Sequence, residues 1–192
     1  MASSVKKTVE PLPPAPHGFH RVTSVRKVGE AGAVQLVHAK EEELAPIAAF
    51  LDLVRIDSLK AEISLHRWRA KGLRLTGRVI ADVVQTCVVT LEPVPAHVDA
   101  VFERKYLPDD LLGDELDRAD VFVDPVGEEP PEPLGHEIDL GAVVVEELSL
   151  SLDPYPRKEG SAFDKGAAGE GSTRENPFAA LAKLKAKLEP KA

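Results

Sequence analysis

The sequence predicts an α+β domain in which a twisted antiparallel sheet, open or partly closed into a barrel, is covered by one or two helices. Apolar and polar residues alternate along residues 55–107, which predicts long strands because successive side chains of a strand point to opposite faces of a sheet. Apolar residues at helical spacing before and after this segment predict the covering helices. The length of 192 residues fits one such domain with tails.

Two short strands and a helix are predicted ahead of the long strands. FHRVTSV (19–25) and AVQLVHA (33–39) have strand composition and are separated by a glycine-containing turn. The helix is predicted in EEELAPIAAFLDL (41–53), whose larger apolar residues recur at helical spacing behind three glutamates that favour a helix N-terminus. We expect Pro46 to lie in the first turn of this helix.

The first two long strands are predicted to form a hairpin with its turn at Ala70-Lys71-Gly72. Odd-numbered positions are apolar along 59–65 and again along most of 73–83, so these residues share one buried face. Continued further, the same phase reaches Cys87, the single cysteine of the chain. The pattern therefore predicts that this thiol lies on the buried face of a strand that runs through residues 86–93.

A third long strand and a second helix complete the predicted core. HVDAVFERKYL (97–107) alternates in the same way after a break at Pro93–Pro95. IDLGAVVVEELSLSLD (138–153) carries an apolar stripe at helical spacing, with Asp139 as a suitable N-cap. The LSLSL run within it would also fit a strand, and helix is the interpretation we adopt.

Composition predicts the layout of the whole chain. A proline-rich lead (1–16) is expected to be disordered, and a single α+β domain follows over 17–156. An acidic, proline-rich excursion (108–137) is expected to leave this domain as an exposed loop. A flexible linker (157–175) and a C-terminal helix (176–189) close the chain.

Hydropathy and cysteine content predict a soluble cytoplasmic protein. No run approaches the roughly 18 apolar residues of a membrane span, and the N-terminal lysines are not followed by the apolar stretch of a secretory signal. One cysteine forms no internal disulfide, which agrees with a reducing compartment. We therefore expect no membrane partner.

The charges are separated along the chain. The net charge of −8 argues against a protein that coats nucleic acid with its whole surface. Residues 54–78 nevertheless carry seven basic and two acidic side chains, whereas 103–153 carry sixteen acidic and three basic ones. Such a molecule can present a local basic surface to phosphate while its bulk stays acidic.

No pattern typical of an enzyme is present. The histidines lack the ligand spacing of a zinc site, and Cys87 has the context of a small core side chain. The glycines at 166–171 lack the strand and helix that frame a phosphate-binding loop. We expect no catalytic residue, no metal and no cofactor.

The predicted hairpin tip, HRWRAKGLR (66–74), is the more informative segment. Its tryptophan, the only one in the chain, stands among cations on the face opposite the aliphatic residues. An aromatic ring between cations can stack on an unpaired base while the cations hold phosphates. The alternative is a turn made soluble by its charges, with the ring covering a small apolar cluster. The candidate RNA-binding residues are Arg67, Trp68, Arg69, Lys71, Arg74 and Arg78.

The C-terminal segment NPFAALAKLKAKL (176–188) has the pattern of an amphipathic docking helix. Its lysines lie mostly off the apolar stripe, so the stripe could seat in a partner's groove. The alternative is that the stripe packs on its own domain. The candidate partner-docking residues are Phe178, Leu181, Leu184 and Leu188.

Three segments, taken in order, resemble the YceD family of bacterial proteins named for accumulation of the large-subunit ribosomal RNA. They are LTGRVIADVVQTCVVTLEPVPAHVDAVFERKYLP (75–108), EIDLGAVVVEELSLSLDPYPRKEG (137–160) and ENPFAALAKLKAK (175–187). Many family members carry Cys-x-x-Cys before Leu-Glu-Pro, whereas this chain has Cys87 and Thr90. On a strand these two positions face opposite ways, so we expect them not to share a ligand.

The resemblance implies a role in large-subunit RNA maturation or stability and supplies no catalytic residues. The leading hypothesis is a non-enzymatic ribosome-biogenesis factor that supports 23S ribosomal RNA. Its expected partners are ribosomal RNA, large-subunit assembly intermediates or a basic ribosomal protein. The alternative is an adaptor that binds a basic partner through its acidic excursion without contacting RNA.

Overall fold

The computed structural model describes residues 16–69, 71–112 and 131–161. The chain divides into two units, residues 1–159 and 160–192, and the elements below all belong to the first. Residues 1–15 of the predicted lead, most of the acidic excursion, most of the predicted linker and the C-terminal helix with its apolar stripe lie outside the described residues.

The domain is built on an open five-stranded sheet in the order β2-β3-β4-β5-β6. The first four of these strands are antiparallel, and the short β6 runs parallel to the end of β5. A separate antiparallel pair joins β1 to β7. The strands are β1 (Val22–Ser24), β2 (Ala33–His38), β3 (Arg55–Trp68), β4 (Gly72–Thr86), β5 (Pro93–Leu107), β6 (Glu132–Pro133) and β7 (Glu137–Asp139). The α+β prediction is confirmed, and the sheet does not close into a barrel.

In the part of the chain that the structure describes, two α-helices cover the sheet, as the apolar stripes predicted. Helix α1 (Glu41–Phe50) packs on β3, and helix α2 (Leu140–Ser151) packs on β4 and β5. A 3-10 turn (Val25–Lys27) follows β1. The placement of Pro46 was wrong: it is the sixth residue of α1 and lies inside the helix, where it lacks the N–H of an interior residue. The Glu43 carboxylate supports the first turn instead, because it accepts the Lys40 backbone N–H at 2.8 Å.

The core lies between the helices and the inner face of the sheet. The odd-numbered residues of β3 and β4 predicted to share a buried face are buried, and the inward residues of α2 complete the cluster. Gly77 of β4 faces inward opposite Phe102 of β5. A Cβ at Gly77 would come within 2.5 Å of the Phe102 ring, so the missing side chain makes room for the aromatic one.

Strand β5 begins earlier than predicted. Pro93 and Pro95 do not break it, because they pair with Thr86 and Val84 of β4 as part of the ladder. A proline removes one backbone donor, and sheets tolerate this where a strand has a free edge. Among the described residues, β5 has a second neighbour only at Tyr106 and Leu107, so its proline end has such an edge.

The N-terminus of α2 is held by Asp139, the predicted N-cap. Its carboxylate accepts the backbone N–H groups of Gly141 at 3.0 Å and Ala142 at 3.4 Å. The first turn lies close to the chain at Phe19, whose side chain is fully buried. A Cβ at Gly141 would lie 2.4 Å from the Phe19 carbonyl oxygen. This contact requires glycine, because backbone atoms occupy the place of a side chain.

Gly141→Ala should therefore lower the free energy of unfolding by about 1–3 kcal/mol, the usual cost of overpacking. The sign is diagnostic, because alanine in a helix is otherwise favoured over glycine by about 1 kcal/mol. Gly29→Ala is the matched control, since a Cβ there meets nothing within 4 Å, and its stability should change little. Urea unfolding measures both variants. A stabilised Gly141→Ala protein would contradict the packing described.

Candidate nucleic-acid interface

The outer face of the sheet carries balanced charges. Side chains at even positions of β3 and β4 and at odd positions of β5 lie on this face, opposite the core. Its four basic residues, Lys60, Arg74, Arg78 and Lys105, are matched by four acidic ones, Glu62, Asp82, Asp99 and Glu103. The basic hairpin of the sequence thus lies beside carboxylates that β5 supplies.

Four of these eight charges form two ion pairs between β4 and β5. Arg74 binds Glu103, and Arg78 binds Asp99 through two nitrogens of its guanidinium. Each arginine lowers the pKa of its carboxylate partner through a side-chain hydrogen bond. Exposed pairs of this kind contribute little to stability and can be exchanged for other partners.

A tryptophan and several cations gather where β3 meets β4. The Arg69 guanidinium lies 4.3 Å from the centroid of the Trp68 ring, and the Lys105 ammonium lies 5.7 Å from it. Lys71 binds Asp110 at 2.9 Å. We call Trp68, Arg69, Lys71 and Lys105 the tip cluster. These distances fit cation–π contacts, so the ring is partly covered by the protein's own charges.

Arg69 has an unusual backbone conformation. Its φ of 53° lies in the left-handed region, which few side chains other than asparagine and aspartate adopt readily. This turn conformation brings the guanidinium back over the neighbouring ring. The tip cluster is therefore shaped by the turn as well as by strand alternation.

Arg67 lies apart from the other candidates. It pairs with Leu73 across the hairpin and so belongs to the inner side of the sheet. Its guanidinium donates to the backbone carbonyls of Val28 at 3.0 Å and Val25 at 3.2 Å. Arg67 thereby ties β3 to the 3-10 turn. Arg74 and Arg78 remain on the outer face beyond the tip cluster.

Lys105 and Asp110 are members of this neighbourhood that the sequence analysis missed. Both come from the far end of β5 or just after it, more than 30 residues from Trp68. Only the register of β4 with β5, in which Arg74 lies opposite Lys105, brings them to the tip. The signal in the sequence was that Asp99, Glu103 and Lys105 all stand at odd-numbered positions of the strand. Charged residues on one side of a strand mark its exposed face.

Cys87 is buried as predicted, but it lies on a turn instead of a strand. Strand β4 ends at Thr86, and Cys87 begins a turn that closes when its N–H donates to the Glu92 carbonyl at 2.8 Å. Cys87 and Thr90 therefore do not lie on a strand with opposite orientations, and this part of the prediction was wrong, whereas the expectation that they share no ligand stays a prediction. The Cys87 Sγ accepts the backbone N–H of Thr90 and that of Lys158, each at 3.4 Å.

These donors change the acidity of the thiol. The pKa of Cys87 is lowered to about 6, first by a hydrogen bond from the Thr90 side chain and then by the backbone N–H groups of Lys158 and Thr90. Desolvation acts in the opposite direction and is outweighed. The donors also attach the chain after α2 to the turn, since Lys158 binds Glu92 at 2.9 Å as well.

The described residues contain neither a cluster of metal ligands nor a helix that could cross a membrane. Within 16–69, 71–112 and 131–161, no three His, Cys, Asp or Glu side chains come together as a metal site. The helices of that part of the chain are too short or too polar to cross a membrane. The absence of a metal, of a cofactor and of catalysis stays a prediction.

Fold and surface together define a small α+β sheet domain whose outer face is polar and whose hairpin tip carries an aromatic ring among cations. The chain belongs to the YceD family, because the family model described as "Large ribosomal RNA subunit accumulation protein YceD" matches residues 75–185. The matched range starts within β4 and includes β5 and α2. No curated protein and no solved structure matches the chain significantly.

The Cys87 thiol should make stability depend on pH. A folded-state pKa of about 6 lies below the unfolded value of about 8.5, so between these values the unfolded chain binds more protons. The free energy of unfolding of the wild type should rise with pH across this window, relative to Cys87→Ala. Urea unfolding of both proteins at several pH values measures the difference. Parallel pH profiles would contradict the thiol geometry.

Arg67→Gln should lower the free energy of unfolding by about 1 kcal/mol, because it removes charged hydrogen bonds to two backbone carbonyls. Lys71→Gln is the matched control, since it removes only an exposed ion pair with Asp110 and should cost less than about 0.5 kcal/mol. Thermal or urea unfolding compares the two variants. Equal stability would mean that Arg67 does not fasten the 3-10 turn.

Proposed function

We propose that this protein is a non-enzymatic ribosome-biogenesis factor that supports the accumulation or maturation of 23S ribosomal RNA. The observation that carries the proposal is the family match over residues 75–185. It acts in the cytoplasm, where its partners are ribosomal RNA or intermediates of large-subunit assembly. The family name refers to the large ribosomal RNA subunit, and the surface of the domain suggests how RNA would be contacted.

Direct contact with RNA is supported by the tip cluster. Trp68 offers an aromatic surface, Arg69 and Lys105 lie over its ring, and Lys71 adds a third cation at the same turn. A base stacked on an aromatic ring contributes about 1–3 kcal/mol to binding. A phosphate can replace Asp110 as the partner of Lys71, because an exposed ion pair contributes at most about 1 kcal/mol.

The second candidate function is a protein adaptor that does not touch RNA. It is favoured by the carboxylates of β5, because Asp99 and Glu103 neutralise Arg78 and Arg74 on the outer face. An outer face without net charge has little long-range attraction for a polyanion. In this case the acidic excursion (108–137) would bind a basic ribosomal protein.

Trp68→Ala and Lys71→Gln should each weaken binding to transcribed fragments of 23S RNA, by roughly tenfold for the tryptophan. Arg55→Gln is the matched control, since Arg55 is an exposed, paired arginine at the opposite end of β3. Binding should fall with salt, less steeply for Lys71→Gln, because that variant releases fewer counterions from the RNA. Identical affinity of all four proteins would remove the tip from the proposal.

A cellular assay tests the function itself. Cells that lack the protein should hold less 23S relative to 16S RNA, and the wild type and Arg55→Gln should restore the ratio. A loss of 23S RNA that Trp68→Ala repairs fully, without RNA binding in vitro, would favour the adaptor. An unchanged ratio in cells without the protein would reject both.

A further inference from the structure

A groove of about 620 Å³ opens where the two helices end. It lies between the C-terminal end of α1, the end of β4 and the segment that follows α2. Apolar side chains form most of its lining: Leu51, Leu53, Leu150, Leu152, Pro154 and Pro156. Leu150 is 73% exposed although it stands on a helix whose inward residues are buried. Exposed leucine beside a concave apolar surface is typical of a binding site.

The groove is also electronegative. Both helices present their C-terminal ends to it, and a helix C-terminus carries about half a negative charge through its unpaired carbonyls. Neither helix has a basic residue in its last turn. Asp52 and Asp153 add two carboxylates to the lining, and no described residue forms an ion pair with them. None of the described residues that line the groove is a lysine or an arginine.

The walls of the groove are fixed by hydrogen bonds. Gln85, which is buried, donates its side-chain amide to the Asp153 carbonyl at 2.9 Å. The Asp153 carboxylate accepts the backbone N–H of Tyr155 at 2.9 Å, which shapes the turn after α2. On the opposite wall, Asp52 has a φ of 54°, a left-handed conformation that ends α1. The groove is therefore formed before any partner binds.

We propose that this groove binds a basic amphipathic helix of a partner protein. Its apolar residues would cover Leu150 and the neighbouring leucines and prolines, while its lysines or arginines meet Asp52, Asp153 and the two helix ends. An amphipathic helix that places one apolar face in a groove is a common mode of peptide recognition. Charge complementarity selects a basic partner over an acidic or a neutral one.

This surface is distinct from the tip cluster. The groove includes the end of β4 at Gln85 and Thr86, whereas the tip lies beside its beginning at Gly72. The inference therefore does not depend on contact between the tip and RNA. A protein with both surfaces could bind a basic partner at the groove end of its sheet, whatever the tip contacts.

The test uses the full-length protein and a labelled model helix of about 14 residues made of leucine and lysine in amphipathic order. Fluorescence anisotropy should show binding that Leu150→Gln weakens about tenfold and Asp52→Asn about threefold. Glutamine keeps the helical propensity of position 150, and asparagine tolerates the left-handed backbone of position 52. The Asp52→Asn effect should shrink as salt is raised.

Two controls separate this site from general attraction to an acidic protein. Val101→Gln changes an apolar residue of β5 that is 80% exposed on the outer face, and it should leave binding unchanged. A peptide with glutamate in place of lysine should not bind. Equal affinity of Leu150→Gln and Val101→Gln would overturn the proposal. Failure of the lysine peptide to bind the wild type would also overturn it, as expected if a second copy or another part of the chain covers the groove.

Discussion

Asp139 joins the N-terminal segment of the domain, at His20 and Arg21, to the beginning of α2. Its carboxylate accepts the Arg21 backbone N–H at 2.8 Å, contacts the His20 ring at 2.6 Å and caps the first N–H groups of α2. Burial raises the pKa of Asp139, but these hydrogen bonds outweigh it and keep the pKa below its usual value. Arg21 extends the junction by donating two hydrogen bonds to Glu43 of α1. One ionised carboxylate thus fixes α2 and, through Arg21, also α1.

A second, partly buried charge fixes α2 from its other side. Arg104 faces inward from β5, and its guanidinium binds Glu132, Glu146 and Glu147. Burial lowers the pKa of this guanidinium, but the three carboxylates raise the pKa by a larger amount. The net pKa lies above its usual value, so the group stays charged. Part of the acidic sequence after β5 is therefore neutralised within the domain. The excursion predicted from its composition returns as β6 to meet this arginine.

Local patterns in the sequence predicted the elements, whereas contacts between distant residues could not be predicted from them. Alternation identified the β3–β4 hairpin, and helical spacing with Asp139 identified α2, because both signals depend on neighbouring residues. The pairing of β1 with β7 joins residues over 110 positions apart, and no periodicity encodes it. Cys87 was assigned to a strand because it continues the series of buried odd-numbered positions of β4. The Cys87–Glu92 turn is held instead by backbone hydrogen bonds, which the alternation of side chains does not reveal. At the candidate interface, Trp68 and most of the basic residues were named from the sequence, whereas Lys105 and the acidic partners were not.

The acidic partners decide which basic residues of the outer face can exchange a carboxylate for a phosphate. Arg78 donates two hydrogen bonds to Asp99, and a phosphate would have to replace a bidentate contact of fixed geometry. Lys71 makes a single contact with Asp110, and a lysine ammonium changes partner without such a constraint. Exchange should therefore occur first at the tip, where Trp68 already supplies an aromatic surface for a base. The balanced middle of the face disfavours binding of a polyanion along its length, so the proposed RNA contact would be confined to the end of the hairpin.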